Sequence, residues 1–153
     1  MVCTNNSRSA IFIFMIDHSY YMDICTQLAN AAKMKGNPPV GCIIVKNGQI
    51  IAQAEEASKS KGDITCHAEM EVIKEAVKKM GQNLSQCTLY TTHEPCVMCA
   101  YPIRYHAVSR IVIDSPVTFF GGTSAEFPLL VTTKVPAHWP APPEIIWLHQ
   151  SLV

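Results

Sequence analysis

"TLYTTHEPCVMCAYPI", residues 88–103, is the stretch on which the fold turns. Its first five residues combine threonine with leucine and tyrosine, the composition of a short strand. Pro95 then belongs at or near the first turn of a helix, because its fixed φ suits that position and its missing N–H is not needed there. The spacing predicts that this helix reaches Tyr105. Cys96 and Cys99 stand three apart in its first turn, on one face, where the positive end of the helix dipole favours thiolates.

The same strand and helix signals recur to either side. "VGCIIVKNGQIIAQA", residues 40–54, is two β-rich runs joined by Asn47-Gly48, a strong hairpin signal. Residues 55–64 are polar and read as a loop, after which Thr65 or Cys66 opens a helix to Met80 with Met70, Ile73, Val77 and Met80 as its apolar stripe and Gly81 as its stop. Upstream, Asp17 caps a helix to Lys35, with Tyr21, Ile24, Leu28 and Ala31 or Ala32 at helical spacing and Gly36 beyond its end. Downstream, "SRIVIDS" at 109–115 reads as a strand buried on both faces and "EIIWLHQSL" at 144–152 as a fifth strand. Residues 116–143, rich in Pro, Gly and Thr, hold at most a short helix near 124–131. Strands alternating with helices after an opening hairpin make a layered α/β domain with a mixed sheet.

At 153 residues the chain fits one domain, and a composition of 48% hydrophobic and 16% charged residues suits a compact core. A formal net charge of zero gives no long-range attraction to nucleic acid or an acidic membrane. Seven cysteines with no recognisable export signal point to free thiols in a reducing, cytoplasmic setting. The run "AIFIFMI" at 10–16 is too short to span a bilayer, so no membrane partner is expected.

The chemistry comes from joining the two cysteines to "CHAEMEVIKEA", residues 66–76. If the strands feeding the two helices are parallel neighbours, both helix starts open on one edge of the sheet. His67, Cys96 and Cys99 then supply three ligands of a tetrahedral zinc and leave the fourth position to water, the pattern of a catalytic rather than a structural site. Glu69 beside that position can take a proton and return it to a leaving amine, which is hydrolytic deamination. Taken singly, His67 and Glu69 are ordinary residues of a helix start and the cysteines ordinary buried thiols; the conjunction carries the reading.

With these residues in place the chain resembles the cytidine and deoxycytidylate deaminase-like superfamily, whose H-x-E and P-C-x-x-C signature it carries at His67–Glu69 and Pro95–Cys99. The similarity spans residues 17–148 and is nearest to the branch of tRNA adenosine deaminases, guanine deaminases and yeast-type cytosine deaminases, through "PPVGCIIVKNGQIIA", "HAEMEVIKEA", "LYTTHEPCVMCAYPI" and "SRIVI". The resemblance implies a three-layer α/β/α fold with a central mixed five-stranded sheet, one zinc ion per subunit and a homodimer. It makes His67, Cys96 and Cys99 the zinc ligands and Glu69 the proton shuttle. Residues 1–14 have no counterpart and read as an N-terminal extension to a deaminase domain at 15–153.

Departures from the family pattern direct the expected substrate. Glu56 stands where many relatives carry an asparagine that hydrogen-bonds the base, and an ionised glutamate only accepts. It therefore favours a base edge with N–H donors, unless it is solvated loop charge like Glu55. His93 replaces a common apolar residue, and Cys42 and Cys66 are packing residues. Phe119, Phe120, Phe127 and Trp139 can stack on a planar base or cover the sheet edge, and Asp114 and Glu126 are further polar candidates. The expected substrate contacts are Glu56, His93, Asp114, Phe120 and Trp139. The closing basic helix of tRNA-editing relatives finds no match in this sequence, so the expectation is a free amino-substituted heterocycle, guanine-, cytosine- or aminotriazine-like, with nucleic acid disfavoured. Editing of a tRNA wobble adenosine is the alternative, revived by a basic rim at Lys33, Lys35, Lys59 and Lys61. A non-catalytic zinc-binding module is the contrasting class, against which the presence of Glu69 argues.

Overall fold

The computed structural model describes residues 17–149, so the extension expected over residues 1–14 lies outside the described residues. The elements run α1 (His18–Met34), β1 (Gly41–Lys46), β2 (Gln49–Glu55), α2 (Ser58–Lys61), α3 (Ala68–Met80), β3 (Thr88–His93), α4 (Val97–Tyr105), β4 (Arg110–Ser115) and β5 (Glu144–Trp147). The five strands form one sheet in the order β2-β1-β3-β4-β5. β1 is antiparallel to both its neighbours, while β3, β4 and β5 are parallel. This is the mixed five-stranded sheet that the resemblance implies.

The strand order corrects one expectation. β2 and β3, the strands that feed α3 and α4, are parallel but not neighbours, because β1 lies between them. Two antiparallel steps restore the direction, so both strands still deliver their helices at the same edge. The hairpin turn places Asn47 and Gly48 at φ 51° and 77°, the left-handed pair that two-residue hairpins use.

Alternation along the strands sorts the apolar residues into two cores. Ile44, Leu89, Ile111 and Ile113 face α3 and α4 with Val72, Ile73 and Ile103. Ile43, Val45, Tyr90 and Val112 face α1 with Met22 and Cys25. Covering both faces explains why β1 and β4 read as continuous apolar runs. Each fully buried leucine or isoleucine contributes roughly 1.5–3 kcal/mol relative to exposure.

Asp17 caps α1 by accepting the Tyr20 N–H at 3.2 Å. A Cβ on Gly41 would overlap the Cys25 carbonyl oxygen and lie 2.7 Å from the Ala29 nitrogen, so only glycine lets α1 lie this close to β1.

Residues 124–131 form turns rather than the short helix anticipated. Buried Arg104 on α4 holds this segment and the chain after it, donating to the Leu129 carbonyl at 2.7 Å, the Thr132 carbonyl at 3.0 Å and the Pro140 carbonyl at 3.0 Å. The polar loop after β2 contains the single turn of α2, and β5 ends at Trp147, short of residue 152. No helix among the described residues is long and apolar enough to cross a membrane.

Candidate active site

His67 and Cys96 occupy equivalent places in the chain. Each is the residue before the first turn of its helix, α3 and α4 respectively, in extended backbone with φ/ψ of −65°/149° and −70°/170°. Neither side chain caps its helix, so each is free to turn toward the space between the helix starts. Cys99, one turn into α4, is fully buried.

The three donor atoms converge. Cys96 Sγ and Cys99 Sγ lie 3.7 Å apart, and His67 Nδ1 lies 3.7 Å from the first and 3.5 Å from the second. Zinc bonds of ~2.3 Å to sulfur and ~2.0 Å to nitrogen at tetrahedral angles require about 3.8 Å between sulfurs and about 3.5 Å from sulfur to nitrogen. The observed triangle has these edges, so the cluster fits one zinc ion and leaves one tetrahedral vertex without a protein donor among these three.

The protons on this cluster are unevenly held. The hydrogen bond from Cys99, with help from His67, holds the Cys96 thiol down at about 4. The same bond, reinforced by burial, pushes the Cys99 thiol well up, and the bond to Cys96 raises His67. Zinc must therefore displace protons from Cys99 and from His67. Lowering the pH refills those sites, so zinc affinity is expected to fall by up to about 100-fold per pH unit below the raised His67 titration, two protons being displaced. Chelator competition between pH 8 and pH 5 reads this slope, and an affinity that stays level across that range contradicts it.

Glu69 is 4% exposed, and its Oε2 lies 3.8 Å from Cys99 Sγ. Burial pushes its carboxyl up to about 7. Its Oε1 is 3.2 Å from the Thr91 hydroxyl, which also reaches the His93 carbonyl at 2.9 Å. One hydroxyl proton cannot serve both acceptors, so when it goes to the carbonyl, protonated Glu69 can donate to Thr91 instead.

A cavity of about 200 Å³ opens on this group, lined by Glu56, Ser58, His67, Glu69, His93, Glu94, Cys96 and Phe119 among others. The structure thus brings together His67, Glu69, Cys96, Cys99, Glu56 and His93. His93 Nδ1 is 3.1 Å from the Thr92 hydroxyl, which also accepts the Gly41 N–H at 3.2 Å. Three other candidates are placed elsewhere. Asp114 binds His149 at 2.7 Å and Ser115 at 3.1 Å. Trp139 packs edge-on against Tyr101 and Tyr105 on the outer face of α4. Phe120, at φ 62°, turns away to pair with Phe127 at 5.6 Å, and its neighbour Phe119 lines the cavity instead.

Glu94 has no role assigned from the sequence, although it stands inside the Glu-Pro-Cys motif. It is buried and accepts the Thr123 N–H and hydroxyl at 2.9 and 2.7 Å and the Val117 N–H at 3.3 Å, which fastens the loop carrying Phe119 over the cavity. A Cβ on Gly121 would run into this carboxylate.

The chain is similar in sequence and in fold to other proteins. Residues 15–115 match the model of the cytidine and deoxycytidylate deaminase zinc-binding region. The tRNA-specific adenosine deaminase of Aquifex aeolicus is 37% identical over 112 residues, covering 72% of this chain and 74% of that one. A structure from work on A-to-I editing by tRNA:A34 deaminases superposes with a TM-score of 0.74 at 25% identity, covering 84% of this chain and 97% of its own. The guanine deaminase of Bacillus subtilis superposes with a TM-score of 0.63 at 32% identity, covering 66% of each.

Proposed function

This chain belongs to the cytidine and deoxycytidylate deaminase zinc-binding family, and on that premise we propose that it hydrolyses the exocyclic amino group of an adenosine in tRNA, releasing ammonia. The likeness that carries this substrate is to proteins named tRNA-specific adenosine deaminase, among them the Aquifex aeolicus protein. It displaces the free heterocycle expected above to second place.

In this reading His67, Cys96 and Cys99 hold zinc, and when bound there the ion supplies a Lewis acid that activates water. Glu69 does the proton work. Its carboxylate accepts a proton from the attacking water, and the acid form returns it to the substrate as the carbon–nitrogen bond breaks and the amine departs as ammonia. In the metal-free fold burial raises this carboxyl to about 7, and the charge of a bound zinc ion would draw it back toward the carboxylate that accepts the first proton. Phe119 at the cavity mouth offers a face for a planar ring, and the small volume admits one base rather than a stack. A homodimer in the cytoplasm is part of the proposal, and a purified chain that sediments as a monomer removes the dimer.

A second reading, a free base, is favoured by the pairing of two lysines and by one acidic group in the cavity wall. Of the lysines expected to form a basic rim, Lys35 is paired with Glu55 and Lys61 with Glu71, so their charge is neutralised. Glu56 adds an acceptor to the cavity wall.

The zinc-loaded protein is to be incubated with an anticodon stem-loop bearing a wobble adenosine and, separately, with adenosine, adenine, cytosine and guanine. Inosine in the stem-loop, seen by mass spectrometry, is the expected result. Ammonia from a free base alone transfers the proposal to the second reading, and turnover of none of them removes both.

A further inference from the structure

Glu56 directly follows β2, is 3% exposed, and yet its side chain forms part of the wall around His67 and Glu69. The backbone that delivers it is held on both sides: Glu56 N–H donates to the Val40 carbonyl at 2.9 Å, and Ala57 N–H to the Cys66 carbonyl at 3.0 Å. Among the described residues its carboxylate has one hydrogen bond, Oε1 accepting the Ser58 N–H at 2.9 Å. Oε2 is left for the cavity. An oxygen that faces the cavity without a protein donor is available to accept a ligand N–H.

A carboxylate accepts hydrogen bonds and donates none. Facing a bare ring nitrogen, it sets two lone pairs against each other; facing a ring N–H, it makes a charge-assisted bond. We propose that Glu56 chooses the base, favouring a ring whose amino-bearing carbon adjoins a protonated ring nitrogen, as in guanine and isocytosine. Rings in which that carbon adjoins only bare nitrogen, adenine and cytosine, are disfavoured. This deepens the free-base reading above, rests on it and is incompatible with the tRNA adenosine reading, so inosine formed in the anticodon stem-loop overturns it. Glutamine at the same place keeps Oε1 for Ser58 and turns an NH2 group into the cavity, which reverses the preference.

The matched probes are isocytosine and cytosine, isomers that differ in where the amino group and ring N–H stand. Their binding is measured by calorimetry on the zinc-loaded Glu69→Gln protein, which does not consume them, with and without Glu56→Gln or Glu56→Asn. Isocytosine is expected to bind about tenfold or more tightly than cytosine when Glu56 is present, and the order to reverse with Glu56→Gln. The same order in all three proteins, or binding of neither probe to any of them, overturns the proposal. A reversal without ammonia release from guanine or isocytosine by the unsubstituted enzyme supports Glu56 as the selector and removes the free-base reaction instead.

Discussion

Glu69→Gln is expected to lower kcat by about 10²–10⁴-fold while leaving one zinc per chain. Glutamine fills the same space and can still meet the Thr91 hydroxyl, now 3.2 Å from Oε1, but it carries no proton to exchange. Binding of the base should change little, so the loss should fall on kcat rather than KM. The same substitution should stabilise the metal-free protein. Glu69 is raised in the fold to about 7 from an ordinary 4.5, so folding favours its acid form. That contribution is fully present below pH 4.5 and is lost as pH rises through 7. Above pH 7 the buried carboxylate costs about 3 kcal/mol, at roughly 1.4 kcal/mol for each pH unit separating its folded and unfolded titrations, and glutamine removes the cost. Denaturant unfolding in chelator should therefore show Glu69→Gln more stable than the unsubstituted protein at pH 8 and nearly equal at pH 4. Equal activity sinks the shuttle, and a destabilised variant at pH 8 sinks the account of burial.

That a residue at the reaction centre is held at a cost to the fold also explains what the sequence could disclose. The site elements were legible because their signals are local. Asn47-Gly48 marks the hairpin, Gly81 ends α3, and Pro95 starts the helix that carries Cys96 and Cys99. Convergence of His67 with the two thiols followed from topology, since two helices leaving one edge of a sheet bring their starts together. It did so even though β1 separates the feeding strands.

The segment over the cavity resisted reading for the opposite reason. Its shape is set by Arg104 and Glu94 through bonds to residues 23 to 36 positions away, and such bonds leave no periodicity in the chain. Nor does composition distinguish Phe119 from Phe120. In the fold Phe120 takes up left-handed backbone, at φ 62°, and pairs with Phe127, while Phe119 lines the cavity. Asp114 and Trp139 are candidates by chemical type alone, and each has other partners in the fold.

Cys99→Ala tests the metal directly, and its effect should be the largest of any single change. Removing one of three ligands costs roughly a third of the about 10–16 kcal/mol typical of protein-bound zinc, which is a loss of between about 10² and 10⁴ in affinity. Dialysed against a chelator too weak to strip the unsubstituted protein, the variant should lose its zinc and show no measurable ammonia release. The fold itself should survive, since alanine is the best helix former and the side chain lost is small. Zinc stabilises only the state that binds it, so the variant should melt where the chelated unsubstituted protein melts, and added chelator should not lower its Tm further. Cys25→Ala provides the contrast: that thiol is also buried, against the opposite face of the sheet, and zinc content should be unaffected by its loss. Adding Glu69→Gln to Cys99→Ala should cost no further activity, because the two residues act on one water molecule and the first change already removes its activation. A Cys99→Ala protein that keeps one zinc and normal turnover would place the reaction somewhere other than between the starts of α3 and α4.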